Sequence, residues 1–529
     1  MREKNLKEFK AINMLSETVR DQNITDVTKE VNALMALEMK TPHEDMYEEF
    51  DFVDDVTGKP LNHKLAAEAR RLEIDFFKNM KVYEKVPRWR ATEAGGKVVT
   101  TRWIDINKGD LRNPNYRARL VGREMKMDKR LDLFAATPPL ESLRMMCSLC
   151  ASNQWRKDPY RILSIDIKRA YFYAPASRPV FIEIPVEDYE AGDEERVGKL
   201  NLSLYGTRDA AQNWAKEYTA FLRSLGLLPG GGSPCNFVHK AHEVHVTVHG
   251  DDFTATGPMR GLDWFNKEMG AKYEIKAEFL GPDAGQSTEI RVLNRVLRWT
   301  EAGVEYEPDQ RHAEIIMKSM EVQNSKPLTT PGTNEDKDVV SIRAKSKALT
   351  GKAATEYRAL AARLNYLVLD RIDLQYVAKC VSKYMSSPCE HDWLALKKVA
   401  KYDVGKPRFV QLFQWQTMPS GLTAFSDSDW AGDREIRKST SGGMVMFGAH
   451  LLKSWSSTQQ VIALSSGEAE LYALIKATAQ AKGIVSNLVD FRYMLSCTVC
   501  TYASAAIGIV HRVGLGRTRH IDVQFLWIQ

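Results

Sequence analysis

Cysteine is scarce in this chain: seven in 529 residues, an odd number and far too few for a secreted disulfide framework. Long apolar runs are missing too, and none approaches the ~20 residues that a membrane-spanning helix needs. The charged opening MREKNLKEFK lacks the apolar stretch of a signal peptide. Neither glycine (32) nor proline (20) is abundant enough for a collagen-like or low-complexity chain. No internal repeat is found. The expectation is a globular, intracellular chain, cytoplasmic or nuclear and not secreted, with no membrane partner. At roughly 150 residues per domain the length suggests about three or four domains.

Charge is balanced overall but not along the chain. Residues 1–60 carry 8 Lys/Arg against 14 Asp/Glu, and the remainder carries 66 against 54. A basic body fits a polyanionic partner, because Lys and Arg release counterions from a phosphate backbone. A solvated surface with a slight excess of lysine explains the charge equally well.

The pattern divides the chain into four segments. Residues 1–60 read as an acidic N-terminal segment or linker, with helical content expected in Lys4–Val31. Residues 61–325 open with the helical run KLAAEARRLEIDFFKNM and continue with strand-like VVTTRWIDI and YRARLV, then a turn-rich PGGGSP (Pro229–Pro234). Residues 326–414 combine an exposed connector, Lys326–Lys352, with a helical block, Ala354–Tyr402. Residues 415–529 alternate strands with one long helix. The fold class expected is α+β.

Two short stretches carry chemistry. In EVHVTVHGDDFTATG, Val244, Val246 and Val248 alternate as in a half-buried strand, and Gly250-Asp251-Asp252 forms a turn before the return strand. Adjacent carboxylates repel unless a cation neutralises them, although Asp is also common in ordinary turns. In RILSIDIKRAYFYAP, Asp166 interrupts an apolar strand, where a carboxylate needs a partner or a metal. Asp166, Asp251 and Asp252 supply the three acids of a two-magnesium phosphoryl-transfer site.

The wording around these acids resembles the reverse transcriptase of copia-type retrotransposon polyproteins. YRARLV (Tyr116–Val121) is similar to the family's YKARLV, and FAATPPLESLR (Phe134–Arg144) to its FAPVxxLESIR. SIDIKRAYFYAP resembles DVKTAFLNG, LYGTRDAAQNW (Leu204–Trp214) resembles LYGLKQAPRxW, and VHGDDF resembles VYVDDL. The resemblance implies a right-hand polymerase, with fingers and a ferredoxin-like palm, a helical connection and an α/β RNase H-like domain. It implies two Mg2+ ions held by Asp166, Asp251 and Asp252, with Asp252 in support. Arg117 and Arg119 would hold triphosphate oxygens, with a solvated basic edge strand as the plainer reading. Tyr171 would exclude a ribose 2′-hydroxyl, Tyr205 and Gly206 would floor the nucleotide pocket, and Trp214 would pack the core. The implied partners are an RNA template, a DNA primer, an RNA–DNA hybrid and deoxynucleoside triphosphates. The departures are His249 and Gly250, where the family shows Tyr and Val, and Ala211, where it shows Pro. Gly250 is expected to loosen the hairpin.

A second resemblance covers the end of the chain. SDSDWAGDREIRKSTSGG, KSWSSTQQVIALSSGEAELYAL and GRTRHIDVQF resemble the RNase H domain of the same polyproteins. It implies metal-binding acids at Asp427, Glu470 and Asp522. The fourth should open the family's CDNxSAI, but this chain has CTYASAAI, with Thr501 in its place and no acid in the ten residues before it. The chain also ends at Gln529, where the family continues, so the reading is a C-terminally truncated domain with impaired nuclease activity.

Other clusters read as packing. Cys147 and Cys150 lie in an apolar helix, far in sequence from Cys497 and Cys500, and no zinc knuckle is formed. His242, His245 and His249 read as a surface histidine face, with His242 opposite to the other two. Two functions compete: a retrotransposon RNA-directed DNA polymerase with a tethered nuclease, and a decayed fragment that at most binds nucleic acid.

Overall fold

The strands that carry Asp166 and the Gly250-Asp251-Asp252 hairpin belong to one six-stranded antiparallel sheet. Its order is Ile275–Leu280, Tyr160–Ile167, Asp252–Pro258, Val244–His249, Asn236–His239, Leu228–Pro229. This computed structural model describes residues 52–95, 97–110, 112–125, 133–332, 339–513 and 520–529. The helix expected over Lys4–Val31 lies outside them.

Strand alternation gives the sheet two different faces. On one, Leu163, Ile165, Val246 and Phe253 pack against the helices Ala210–Ser224 and Met259–Lys272 in a continuous apolar core. The opposite face consists of cross-strand rows set by the register. The first row is Lys276–Asp166–Asp252–His249, the second Glu278–Ser164–Thr254–Thr247, and the third Leu280–Ile162–Thr256–His245. The strand Val244–His249 is therefore covered on both sides, and only His249 is exposed. The half-buried strand expected from its alternation is corrected: the polar residues between the valines face other protein.

The helix Glu141–Ala151 covers part of the second face and is buried at every position from Ser142 to Ala151. A hairpin, Thr101–Asn107 with Tyr116–Gly122, stands beside the long helix His63–Met80. The described part of the acidic N-terminal segment is folded onto it. Asp54 accepts the amides of Asn107, Val56 and Thr57 at 2.7–3.0 Å, and Phe52 is buried. A four-stranded sheet joins Glu289–Val292, Arg295–Trp299 and Gly303–Glu307 to Gln411–Gln414, beyond the connector helices.

The terminal domain is a four-stranded sheet in the order His450–Thr458, Thr440–Phe447, Gly421–Ser428, Ser496–Cys500, and only the last pair is parallel. The helix Ser466–Asp490 lies against it, capped where the Ser465 hydroxyl accepts the Glu468 amide at 3.2 Å. Among the described residues no helix is long and apolar enough to cross a membrane. Cys147 and Cys150 are fully buried, and burial pushes both thiols up, Cys150 to about 12.

Candidate active site

Register brings the acids of two distant motifs together. Asp166 is the direct cross-strand partner of Asp252. Because His249 also pairs with Asp252, the turn is the two residues Gly250 and Asp251, and Asp252 already belongs to the return strand. Gly250 has φ +66° with open space where a side chain would begin. A two-residue hairpin turn needs this left-handed conformation, so glycine forms the turn here instead of loosening it. The turn is pinned from below: Trp214 Nε1 donates to the Gly250 carbonyl at 2.8 Å and the Ile167 amide donates to the Asp251 carbonyl at 3.1 Å. Trp214 thus packs, as expected, and also holds the hairpin.

Asp166 is exposed on a strand whose other side chains are mostly buried, so it opens into a cleft and is not sealed in the core. Asp251 and Asp252 are half-buried. Burial, then Asp251 and Asp166, push the Asp252 carboxyl up to about 6. Asp251 is also raised, by burial and by Asp166. The cleft holds about 820 Å³ and is lined by the first two rows of the sheet, with Lys108, Arg291, Arg295 and Tyr366 around its walls.

The other expected site residues gather at the same hairpin. Arg117 and Arg119 project on the exposed face of their strand. The Arg119 guanidinium lies 5.3 Å from the centre of the Tyr205 ring, and Tyr205 lies 4.4 Å from Tyr171. Burial, then the Asp251 charge, raise the Tyr171 hydroxyl. Gly206, at φ +83°, lies so close to the Gly122 carbonyl that an added Cβ would stand 2.0 Å from its oxygen. Only glycine fits there.

Two cations escaped the sequence reading. Lys108 is held down by burial and by Arg117 and Arg119, while Asp166 and Asp251 oppose that shift; Lys108, Asp166 and Asp251 line one cleft. Lys276 is the cross-strand neighbour of Asp166 on its far side, and its Nζ lies 3.2 Å from Glu278 Oε1. The only sequence signal for either was its place at a strand end.

In the terminal domain, Asp427 and Glu470 meet. The Ser428 amide donates to Glu470 Oε1 at 3.2 Å, and burial together with Asp427 raises the Glu470 carboxyl. Thr501 follows Cys500, the partner of Phe425 in the parallel pair, which sets it beside the strand end that carries Asp427. Its hydroxyl accepts the Ala503 amide at 3.3 Å. Asp522 is exposed and caps a turn through the Gln524 amide at 3.2 Å. The closing segment docks instead through His520, whose Nε2 lies 3.1 Å from Glu468 Oε2. Asp522 is therefore not brought to Asp427 and Glu470.

The histidine face is not formed. His242 stacks on Trp264 at 3.9 Å and His249 opens into the cleft. His245 is fully buried with neither ring nitrogen hydrogen-bonded, and burial depresses it to about 4.

Comparison with known proteins gives the family. A profile described as reverse transcriptase (RNA-dependent DNA polymerase) matches residues 85–298. The chain is 25% identical over 455 residues to the retrovirus-related Pol polyprotein from transposon TNT 1-94 of Nicotiana tabacum, covering 82% of this chain and 33% of that one. To the corresponding polyprotein from transposon RE2 of Arabidopsis thaliana it is 26% identical over 449 residues, covering 82% and 29%. A solved structure, the foamy viral protease-reverse transcriptase dRH in complex with ds DNA, matches at 11% identity with TM-score 0.47, over 82% of this chain and 70% of that one. Residues 85–298 thus match the reverse transcriptase family, and the chain is similar to retrotransposon Pol polyproteins over most of its length. It spans about a third of the length of these curated relatives.

Proposed function

We propose that this chain is an RNA-directed DNA polymerase that extends a DNA primer with deoxynucleotides. The observation that supports this best is the juxtaposition of Asp166 and Asp252, with Asp251 at the adjoining turn, on the floor of a cleft walled by cations. In the right-hand description, the six-stranded sheet is the palm and the Arg117–Arg119 hairpin belongs to the fingers.

Three oxygen ligands of like charge suit a hard divalent cation. Burial first, and then repulsion from Asp251 and Asp166, raise the Asp252 carboxyl, and such a cation would offset both. Among the described residues no three His, Cys, Asp or Glu side chains already converge as a metal cage, so the fit lies in charge and donor type. Asp166, Asp251 and Asp252 would hold the metal, which when bound activates a hydroxyl nucleophile and stabilises the leaving pyrophosphate. The remaining work belongs to the chain. Arg119, Arg117 and Lys108 neutralise the triphosphate, and their fixed positions favour the charge that develops on transfer. The adjacent rings of Tyr171 and Tyr205, tilted by 34° to each other, form an aromatic wall against the sugar, which a 2′-hydroxyl would strike.

The terminal domain keeps the RNase H-like arrangement of Asp427 and Glu470, and Thr501 removes the carboxylate next to them. A hydroxyl carries no charge to hold a second cation, so RNA hydrolysis is impaired. The direct assay offers this chain an oligo(dT) primer on poly(rA) with magnesium and deoxythymidine triphosphate. Extension on the RNA template supports the reading, and an inert but primer-binding protein would favour a nucleic-acid-binding relic.

A further inference from the structure

The face of the sheet that holds the acids is sealed two rows away. In the third row, His245 lies 5.8 Å from the Phe491 ring and 5.6 Å from the Tyr493 ring, both from the terminal domain. With about 3.4 Å per residue along an antiparallel strand, this seam is only some 14 Å from Asp166 and Asp252.

The helix Glu141–Ala151 is the shared element. It packs on the strands Tyr160–Ile167 and Asp252–Pro258 on one side and on the strand His450–Thr458 and the helix Ser466–Asp490 on the other. Its polar groups are bonded across the seam. Ser148 Oγ lies 2.7 Å from His450 Nδ1, Arg144 Nη1 donates to the Leu452 carbonyl at 3.2 Å, and Lys453 pairs with Glu141 at 2.6 Å. The apolar contacts are equally continuous: Leu149, Ile162 and Leu280 share one core with Phe447, Ile484 and Leu488.

A clasp built for this contact closes the far end. In the PGGGSP loop, the Gly232 and Ser233 amides donate to the two carboxylate oxygens of Asp490 at 2.8 Å each. Asn236 Nδ2 donates to Asn487 Oδ1 at 3.0 Å. A Cβ on Gly230 would stand 2.2 Å from the Asp490 carboxyl carbon, and one on Gly232 would stand 2.4 Å from Ser486 Oγ. These glycines let the loop backbone reach the terminal helix.

We infer that the nuclease-like domain has a second function as a structural wall of the polymerase core, so that it and the catalytic sheet fold as one cooperative unit. None of the seam residues is a nuclease acid, so this function survives the loss at Thr501. Without the domain, one side of a helix buried at ten successive positions would face water.

Hydrogen exchange on the full chain tests this without any nucleic acid or catalysis, so its outcome is separate from that of the polymerase assay. In a guanidinium series, amides of Tyr160–Leu163 and of Gly421–Phe425 are expected to lose protection together, with the same dependence on denaturant. Asp490→Ala, which leaves two loop amides without their acceptor, should speed exchange about tenfold in Val244–His249 as well as in Ser466–Asp490. A terminal domain that opens at lower denaturant while the catalytic strands stay protected would overturn the inference. So would an Asp490→Ala effect confined to the terminal domain.

Discussion

Asp252 illustrates how a carboxylate proposed to hold a metal burdens its own fold. Its carboxyl is raised from 3.8 to about 6 in the folded chain. The folded state thus binds the proton more tightly than the unfolded one, and stability falls as pH rises through that window. Replacing it by Asn should therefore stabilise the protein by about 1 kcal/mol at pH 7.5, after allowing for solvent screening of a half-exposed group. The gain should vanish below about pH 4, where the carboxyl is protonated in both states. Denaturant unfolding of both proteins at the two pH values measures it; a destabilised variant at pH 7.5 would refute the account. Tyr171→Val removes the aromatic wall and should raise ribonucleotide over deoxyribonucleotide incorporation by about tenfold. An unchanged ratio would place Tyr171 outside the nucleotide pocket. These residues were legible because each sits in a motif of distinctive wording. Lys276 was not, since its place beside Asp166 depends on pairing between strands far apart in sequence, and Lys108 was not, since it reaches the cleft from a separate hairpin.

The hairpin and the parallel strand pair are the elements that decide what the sites can do. The sequence pattern located the hairpin, but it misjudged Gly250, because a residue that weakens a strand interior is the one a two-residue turn requires. Gly250→Val should cost about 1–3 kcal/mol through its left-handed φ, and thermal unfolding would show it; no loss would mean that the turn relaxes freely. The pattern also misjudged His245, since alternation alone does not reveal whether the second face of a strand meets water or another domain. Thr501 directly follows Cys500, the last residue of the parallel pair. Thr501→Asp should raise release of labelled RNA from a DNA hybrid by roughly 10²-fold over the unmodified chain. Robust cleavage by the unmodified chain would show that another acid substitutes.

At the scale of the whole molecule, the terminal domain is fused to the catalytic sheet by one continuous core. Composition suggested segments, but it carried no sign of the contacts made across them. The strand Gln411–Gln414 completes a sheet begun more than a hundred residues earlier, and the PGGGSP loop, which reads as a mere spacer, is a docking element.

The claim that the paired acids do the chemistry is tested most directly by Asp251→Asn in the full chain, with primer extension and primer–template affinity measured on the same samples. The account predicts extension reduced by at least about 10²-fold with affinity largely retained. Equal loss of binding and extension, or extension that persists, would contradict it.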